Sequence, residues 1–205
     1  MEKDLVKKKI ITESVELFIK FGVRSVTMDD IAKHLGISKK TIYQHFKDKE
    51  EIILLSTSIY FQKEQEDMEE MENGTENAVE HLHVLSVCLR DRLSNMNSSL
   101  LFDLKKYYKR AWDNYKRHKH DVIFNFVFKN LERGMAEGLF RKDINPEILA
   151  YLRMGEIELS FDKEYFPEDK FTLGDIHEQL FDHFTHGILS EKGFRLLETY
   201  KQKTN

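Results

Sequence analysis

Backbone breakers are scarce in this chain, with two prolines and nine glycines in 205 residues. There is one cysteine, and no apolar run approaches the roughly 20 residues that a membrane-spanning helix needs. Few breakers together with abundant Leu, Ile, Phe, Glu and Lys predict a mostly helical protein, and no segment carries a strand signal. The single Cys88 excludes an intramolecular disulfide, fits a reducing cytoplasm, and is expected to be a small buried apolar residue. The charged start MEKDLVKKK leads into an amphipathic segment without an apolar core, so no signal peptide is expected. A phosphate-cradling glycine loop, a nucleophile elbow and an H-E-x-x-H helix are all missing, so the chain is not expected to be an enzyme. Metal ligation has little support either. The acidic EQEDMEEMEN lacks calcium-loop spacing, His118 and His120 point to different sides of a helix, and Asp182, His183 and His186 have no further ligand cluster beside them. No cofactor or metal is expected.

Charge is present but unevenly spread. The chain has a net charge of −4, yet residues 1–50 carry 11 Lys or Arg against 8 Asp or Glu, and the remainder carries 21 against 28. An asymmetry of this sign predicts a basic head that meets phosphate and an acidic body held away from it.

The organising stretch is VTMDDIAKHLGISKKTIYQHFKDKEEI, residues 26–52. Thr27 and Asp30 have the spacing of a capping box, and Val26 with Ile31 that of a hydrophobic staple. Gly36 can take the left-handed conformation that ends a helix sharply. Ser38 then caps a second helix, with Ile37 and Ile42 as its staple. Two helices joined by so short a turn must cross steeply, as in a helix-turn-helix. On a helix over Lys39 to Phe46, Ile42 and Phe46 share the inward side, opposite Lys40 and Gln44. Thr41, Tyr43, His45 and Lys39 flank those two, and the face holds no carboxylate. Such a helix suits the DNA major groove, where Lys donates to guanine, Gln bonds adenine and the Thr methyl meets thymine. Asp48 caps a third helix, with Lys49 in its first turn and Glu51 at the capping-box position, and its free N–H groups suit a phosphate.

Before this stretch, Ile11, Val15, Phe18 and Phe21 form one apolar stripe on a helix from Lys3 to Phe21. After it, the helix begun at Asp48 runs toward Glu72, and further helices are expected from Thr75 to about Asn95 and from Asn97 or Ser98 through Tyr108. A long helical pattern spans Ala111 to Glu137 and stops at Gly138. Pro146, preceded by Asn145, opens a helix to about Phe161, an irregular aromatic stretch follows, and Leu173–Leu189 and Lys192–Lys201 close the chain.

The run TMDDIAKHLGISKKTIYQHFKDKEEI resembles the signature of TetR-type transcriptional regulators. The resemblance implies an all-α chain: a three-helix helix-turn-helix DNA-binding head over residues 1–50 and a helical effector-binding and dimerisation body over 51–205. It assigns base contacts to Lys39, Lys40, Thr41 and Gln44, and phosphate contacts to Thr27, Tyr43, His45, Lys47 and Lys49. Two adjacent lysines at the start of the recognition helix depart from the usual pattern, so one of them is free to serve phosphate.

The body is dense in aromatics, and at helical spacing such residues are core in most cases. The sharper reading is a cavity for a small apolar or aromatic effector, for which Phe102, Tyr108, Trp112, Tyr115, Phe124 and Phe128 are the candidates. The stripe Ile176, Leu180, Phe184 and Ile188, with Gly187, Leu149 and Leu152, reads equally as core or as partner surface. The resemblance favours the partner surface, because TetR-type proteins dimerise through their last two long helices. It implies a cytoplasmic homodimer on a palindromic operator, released when an effector tilts the helix shared by head and body. The rival reading is an architectural or adaptor protein that binds DNA nonspecifically and has no effector.

Overall fold

The computed structural model describes residues 2–204 and forms eleven α-helices. They are α1 (Glu2–Phe21), α2 (Met28–Leu35), α3 (Lys39–Tyr43), α4 (Lys49–Gly74), α5 (Ala78–Ser94), α6 (Leu100–Tyr107), α7 (Lys109–His118), α8 (Phe124–Ala136), α9 (Pro146–Ser160), α10 (Leu173–Ile188) and α11 (Glu191–Thr204). The fold is all-α. No strand forms among the described residues; one bridge pairs Phe140 with Leu189. No described helix is long and apolar enough to cross a membrane.

Two local departures from regular helix matter. The pattern expected as one helix over 111–137 is interrupted by a π-helical turn at Lys119–Ile123, where the Phe124 N–H donates to the Lys119 carbonyl five residues back. The second helix of the motif ends at Tyr43 instead of Phe46. There the Gln44 N–H is shared between the carbonyls of Lys40 at 3.1 Å and Thr41 at 3.2 Å, and the chain tightens. Cys88 on α5 is exposed, contrary to the expected burial.

The chain divides into two compact units, Met1–Glu64 with Asn95–Arg117 and Gln65–Ser94 with His118–Asn205. Helix α4 contributes to both. In the first unit Ile10, Leu17, Phe18, Val23, Ile31, Ile42, Phe46, Ile52 and Ile53 build one core. The buried face of α1 is rotated from the expected stripe. Ile10, Ser14 and Leu17 lie inside with Ile11 and Phe18, Val15 is half-buried, and Phe21 faces solvent at the end of the helix, just before Gly22. Each large aliphatic side chain removed from water here contributes on the order of 1.5–3 kcal/mol.

The second unit closes on Ala78, Val79, Leu131, Phe140, Ala150, Phe181, Phe184 and Ile188. Gly134 permits a close approach there, since a Cβ at that position would fall 2.1 Å from the Phe140 ring. A buried polar group also sits in this unit. The Arg153 guanidinium donates to Glu156 Oε2 at 3.1 Å and to His177 Nε2 at 2.8 Å, and lies 4.9 Å from the Phe181 ring centre. Arginine has no acceptor, so His177 must accept at Nε2 and carry its proton on Nδ1. Burial, and then the neighbouring guanidinium, push the His177 pKa down to about 3.

A folded-state pKa below the unfolded value means that the unfolded chain binds more protons. The stability contributed by neutral His177 is therefore fully present above about pH 6.5 and is lost progressively as pH falls from there toward about 3. The slope for one proton reaches about 1.4 kcal/mol per pH unit. Urea midpoints measured from pH 7.5 to 4.5 are expected to fall more steeply for the native chain than for His177→Gln.

Candidate functional site

The helix-turn-helix is held by local bonds that the sequence encodes. The Asp30 N–H donates to Thr27 Oγ1 at 3.2 Å, and the Thr27 N–H donates to Asp30 Oδ2 at 2.8 Å, which closes the capping box of α2. The Thr27 hydroxyl, which donates to Asp30 Oδ2 at 2.7 Å, and then the Thr27 N–H hold the Asp30 carboxyl below the ordinary carboxylate range. Gly36 ends α2 with φ +66°. Ser38 Oγ accepts the Thr41 N–H at 3.0 Å and lies 2.8 Å from the Thr41 hydroxyl. Thr41 is half-buried as a result, with its hydroxyl occupied by the cap.

Ile42 is 0% and Phe46 2% exposed, which anchors α3 and the turn after it into the core of the first unit. Lys40, Tyr43, Gln44 and Lys47 are exposed on the other side, and His45 is half-buried. Lys40 has no carboxylate partner among the described residues. Lys39 differs. Its ammonium lies 2.7 Å from Asp29 Oδ2 on α2, and that hydrogen bond raises its pKa. One-dimensional reading gave no hint of this acid beside the polar face, because it comes from the helix that crosses α3.

Lys49 is half-buried. Its ammonium donates to the Arg24 carbonyl at 3.2 Å, and burial lowers its pKa. At the start of α4 the Glu51 N–H donates to Asp48 Oδ1 at 2.9 Å, while Glu51 Oε2 accepts from the Lys47 N–H at 2.8 Å, one residue earlier than a capping box requires. Thr27, at the start of α2, is exposed.

The six aromatic candidates do not share one compact unit. Phe102, Tyr108, Trp112 and Tyr115 belong to the first, where Tyr108 and Trp112 pack on the motif's own core, Tyr115 is buried and Phe102 is exposed. Phe124 and Phe128 belong to the second, with parallel rings 6.0 Å apart. A cavity of about 280 Å³ lies elsewhere in the second unit, between α5, α10 and α11. Leu82, Val87, Phe181 and Leu197 supply apolar walls, His177 and Thr185 supply polar groups, and Arg90, Glu178, Asp182 and Lys201 complete the lining. Thr185 Oγ1 is buried without a hydrogen-bond partner, and Nδ1–H is the donor left to His177 once Arg153 holds Nε2.

Ile176, Phe184 and Ile188 are buried within the chain, so that stripe of α10 turns inward, contrary to the expected partner surface. Leu149 and Leu180 are half-buried. The outward apolar residues are Ile148, Tyr151 and Leu152 on α9, each more than half exposed, while Gly155 and Gly187 border open space. Among the described residues no group of three or more His, Cys, Asp or Glu side chains is placed to hold a metal ion; His186 is occupied by Asp182 at 3.1 Å.

Residues 10–55 match the family model described as bacterial regulatory proteins, tetR family. Over 189 residues, 90% of this chain and 96% of the relative, the sequence is 25% identical to the uncharacterized HTH-type transcriptional regulator YvaF of Bacillus subtilis. The fold is similar to that of a TetR-family transcriptional regulator from Agrobacterium tumefaciens, with TM-score 0.73 and 18% identity, covering 92% of this chain and 100% of the other. It is similar too to a putative regulator from Saccharomonospora viridis crystallised with choline, with TM-score 0.71 and 19% identity, covering 92% and 100%. A family match over the helix-turn-helix, a relative aligned along nearly its whole length and shared architecture agree: residues 10–55 carry the DNA-binding segment of the tetR family, and along its length the chain is similar to HTH-type transcriptional regulators of that type.

Proposed function

We propose that this regulator binds a palindromic operator as a homodimer, represses transcription there, and is released by a small apolar or aromatic effector. One observation carries the reading: Lys40 and Gln44 stand exposed on α3 and the turn that closes it, while Ile42 and Phe46, between and beyond them, are buried. In this reading Lys40, Thr41 and Gln44 meet base edges, Thr41 through its methyl group. Lys39 exchanges Asp29 for a base or a phosphate. Thr27, Tyr43, His45 and Lys47 serve the backbone. Lys49 acts chiefly by holding the Arg24 turn against the start of α4 and contributes its charge to phosphate at longer range.

One recognition helix reads few base pairs, whereas a twofold pair reads two half-sites about 34–36 Å apart or a multiple of that. The outer face of α9 and α10, with Leu152 and Tyr151 exposed and Gly155 and Gly187 open to close approach, suits the second copy. The effector reading is supported by the cavity between α5, α10 and α11, where Leu82, Val87, Phe181 and Leu197 offer apolar walls to a small molecule and His177, Thr185 and the charged residues of the lining offer it polar partners. The similar Saccharomonospora viridis regulator, crystallised with choline, supports small-molecule binding by this architecture. An effector that couples to DNA by the typical 1–3 kcal/mol changes affinity by about 5- to 150-fold.

Operator selection from random DNA, followed by quantitative gel shifts, tests the reading. A palindromic site is expected, and Gln44→Ala is expected to lose about 1–3 kcal/mol of discrimination at the base pair it reads while keeping its affinity for unrelated DNA. Equal affinity of the native chain for every duplex would sink the operator. Leu152→Lys is expected to halve the mass seen by light scattering and to weaken operator binding in parallel. Once a screen yields a releasing compound, Val87→Phe, which narrows the cavity, should abolish release and leave operator affinity unchanged.

A further inference from the structure

Four cations crowd the junction of α6 and α7 in the run KKYYKR: Lys105, Lys106, Lys109 and Arg110, all exposed. None has a carboxylate partner among the described residues, although such pairing is common elsewhere. Lys39 is paired with Asp29, Lys116 with Asp113 and Arg133 with Glu137. The acid on the same helix, Asp103, is buried and faces Lys49 and Tyr108.

Aromatic rings hold two of these ammonium groups. Lys105 lies 5.7 Å from the Trp112 ring centre, and Lys106 lies 5.2 Å from that of Phe102 and 5.3 Å from that of Tyr107. A cation over a ring face keeps its charge and most of its hydration, so it remains available to an anion.

The same unit contains the helix-turn-helix, and two contacts join the patch to it. The Arg24 guanidinium donates to Tyr107 Oη at 3.3 Å and lies 4.8 Å from the Tyr107 ring centre. Arg24 is also the residue whose carbonyl receives Lys49, and the Arg24 turn leads within three residues to Thr27 at the start of α2. The free cations of α6 thus adjoin the rim where α2 and α4 begin, which is the rim that faces phosphate if the motif enters a major groove.

We propose that Lys105 and Lys106, with Arg24 between them and the motif, form an auxiliary contact to the phosphate backbone of the same duplex, one that adds affinity without reading sequence. The proposal rests on the DNA-binding reading of the helix-turn-helix. Its ligand is duplex phosphate, held by ammonium and guanidinium groups within about a Debye length of the strand, roughly 8–10 Å at physiological salt.

Because such contacts ignore sequence, mixed-sequence duplex DNA serves as the probe, and the readout is the slope of log affinity against log salt. Each lost phosphate contact flattens that slope by about 0.9, so Lys105→Gln/Lys106→Gln is expected to flatten it by about 2 per protomer. Gln44→Ala should leave the nonspecific slope unchanged. The control Lys142→Gln/Lys170→Gln removes the same charge from exposed positions of the other unit and is expected to change little. Tyr107→Phe, which deletes only the hydroxyl that Arg24 holds, is expected to flatten the slope by less than the double variant. An unchanged slope in the double variant, or an equal loss in the control, would overturn the auxiliary contact. A native chain that binds no duplex at any salt would instead overturn the DNA-binding reading itself.

Discussion

The burial of Ile42 and Phe46 is the constraint on which the rest of the DNA-facing surface depends. Ile42 sits on a helix too short to be stable alone in water, and Phe46 in the turn that follows it. Packing them against Ile31, Val26 and Phe18 fixes the rotation of α3, and rotation is what turns Lys40 and Gln44 outward. The caps at Thr27 and Ser38 and the left-handed Gly36 set where each helix starts and stops. Local hydrogen bonds set the boundaries, hydrophobic burial sets the orientation, and the exposed polar face follows from both.

Charge pairing adds a second layer. A lysine is a DNA contact only to the degree that it is not already satisfied by the protein, and the structure separates these cases. Lys39 has Asp29, and Lys49 has the Arg24 carbonyl, whereas Lys40 and Lys47 on the motif, and Lys105 and Lys106 on α6, stand without a carboxylate partner among the described residues. The chain is net acidic, so local supply of unpaired cations, and not total charge, is what a polyanion would meet.

In the second unit the polar interior is as deliberate as the apolar one. Arg153 is buried but bonded to Glu156 and His177 and packed against Phe181, so its charge is compensated. That arrangement fixes the His177 tautomer and leaves its remaining donor beside a cavity that also contains the unpartnered Thr185 hydroxyl. Helix α10 lies on this cavity along one side and carries Leu180 and Gly187 on another, so one rigid element bears on both surfaces.

Much of this was legible in the residues. The capping box at Thr27, the cap at Ser38, the helix order, the stop at Gly138 and the opening at Pro146 depend on neighbours within a few positions, and such signals survive in one dimension. The rotation of α1 that exposes Phe21 and the inward turn of Ile176, Phe184 and Ile188 did not, because an apolar stripe is equally consistent with the chain's own core and with a partner. Nor did the division of the aromatic candidates between two units, the pairing of Lys39 with Asp29, or the contact of Arg24 with Tyr107, which lies 83 residues away along the chain. Sequence alone determined which segments are helices and which short face carries donors, since periodicity and caps are local. Only tertiary packing decided which stripes face inward and which cations stay unpaired, since those depend on side chains that meet across the fold.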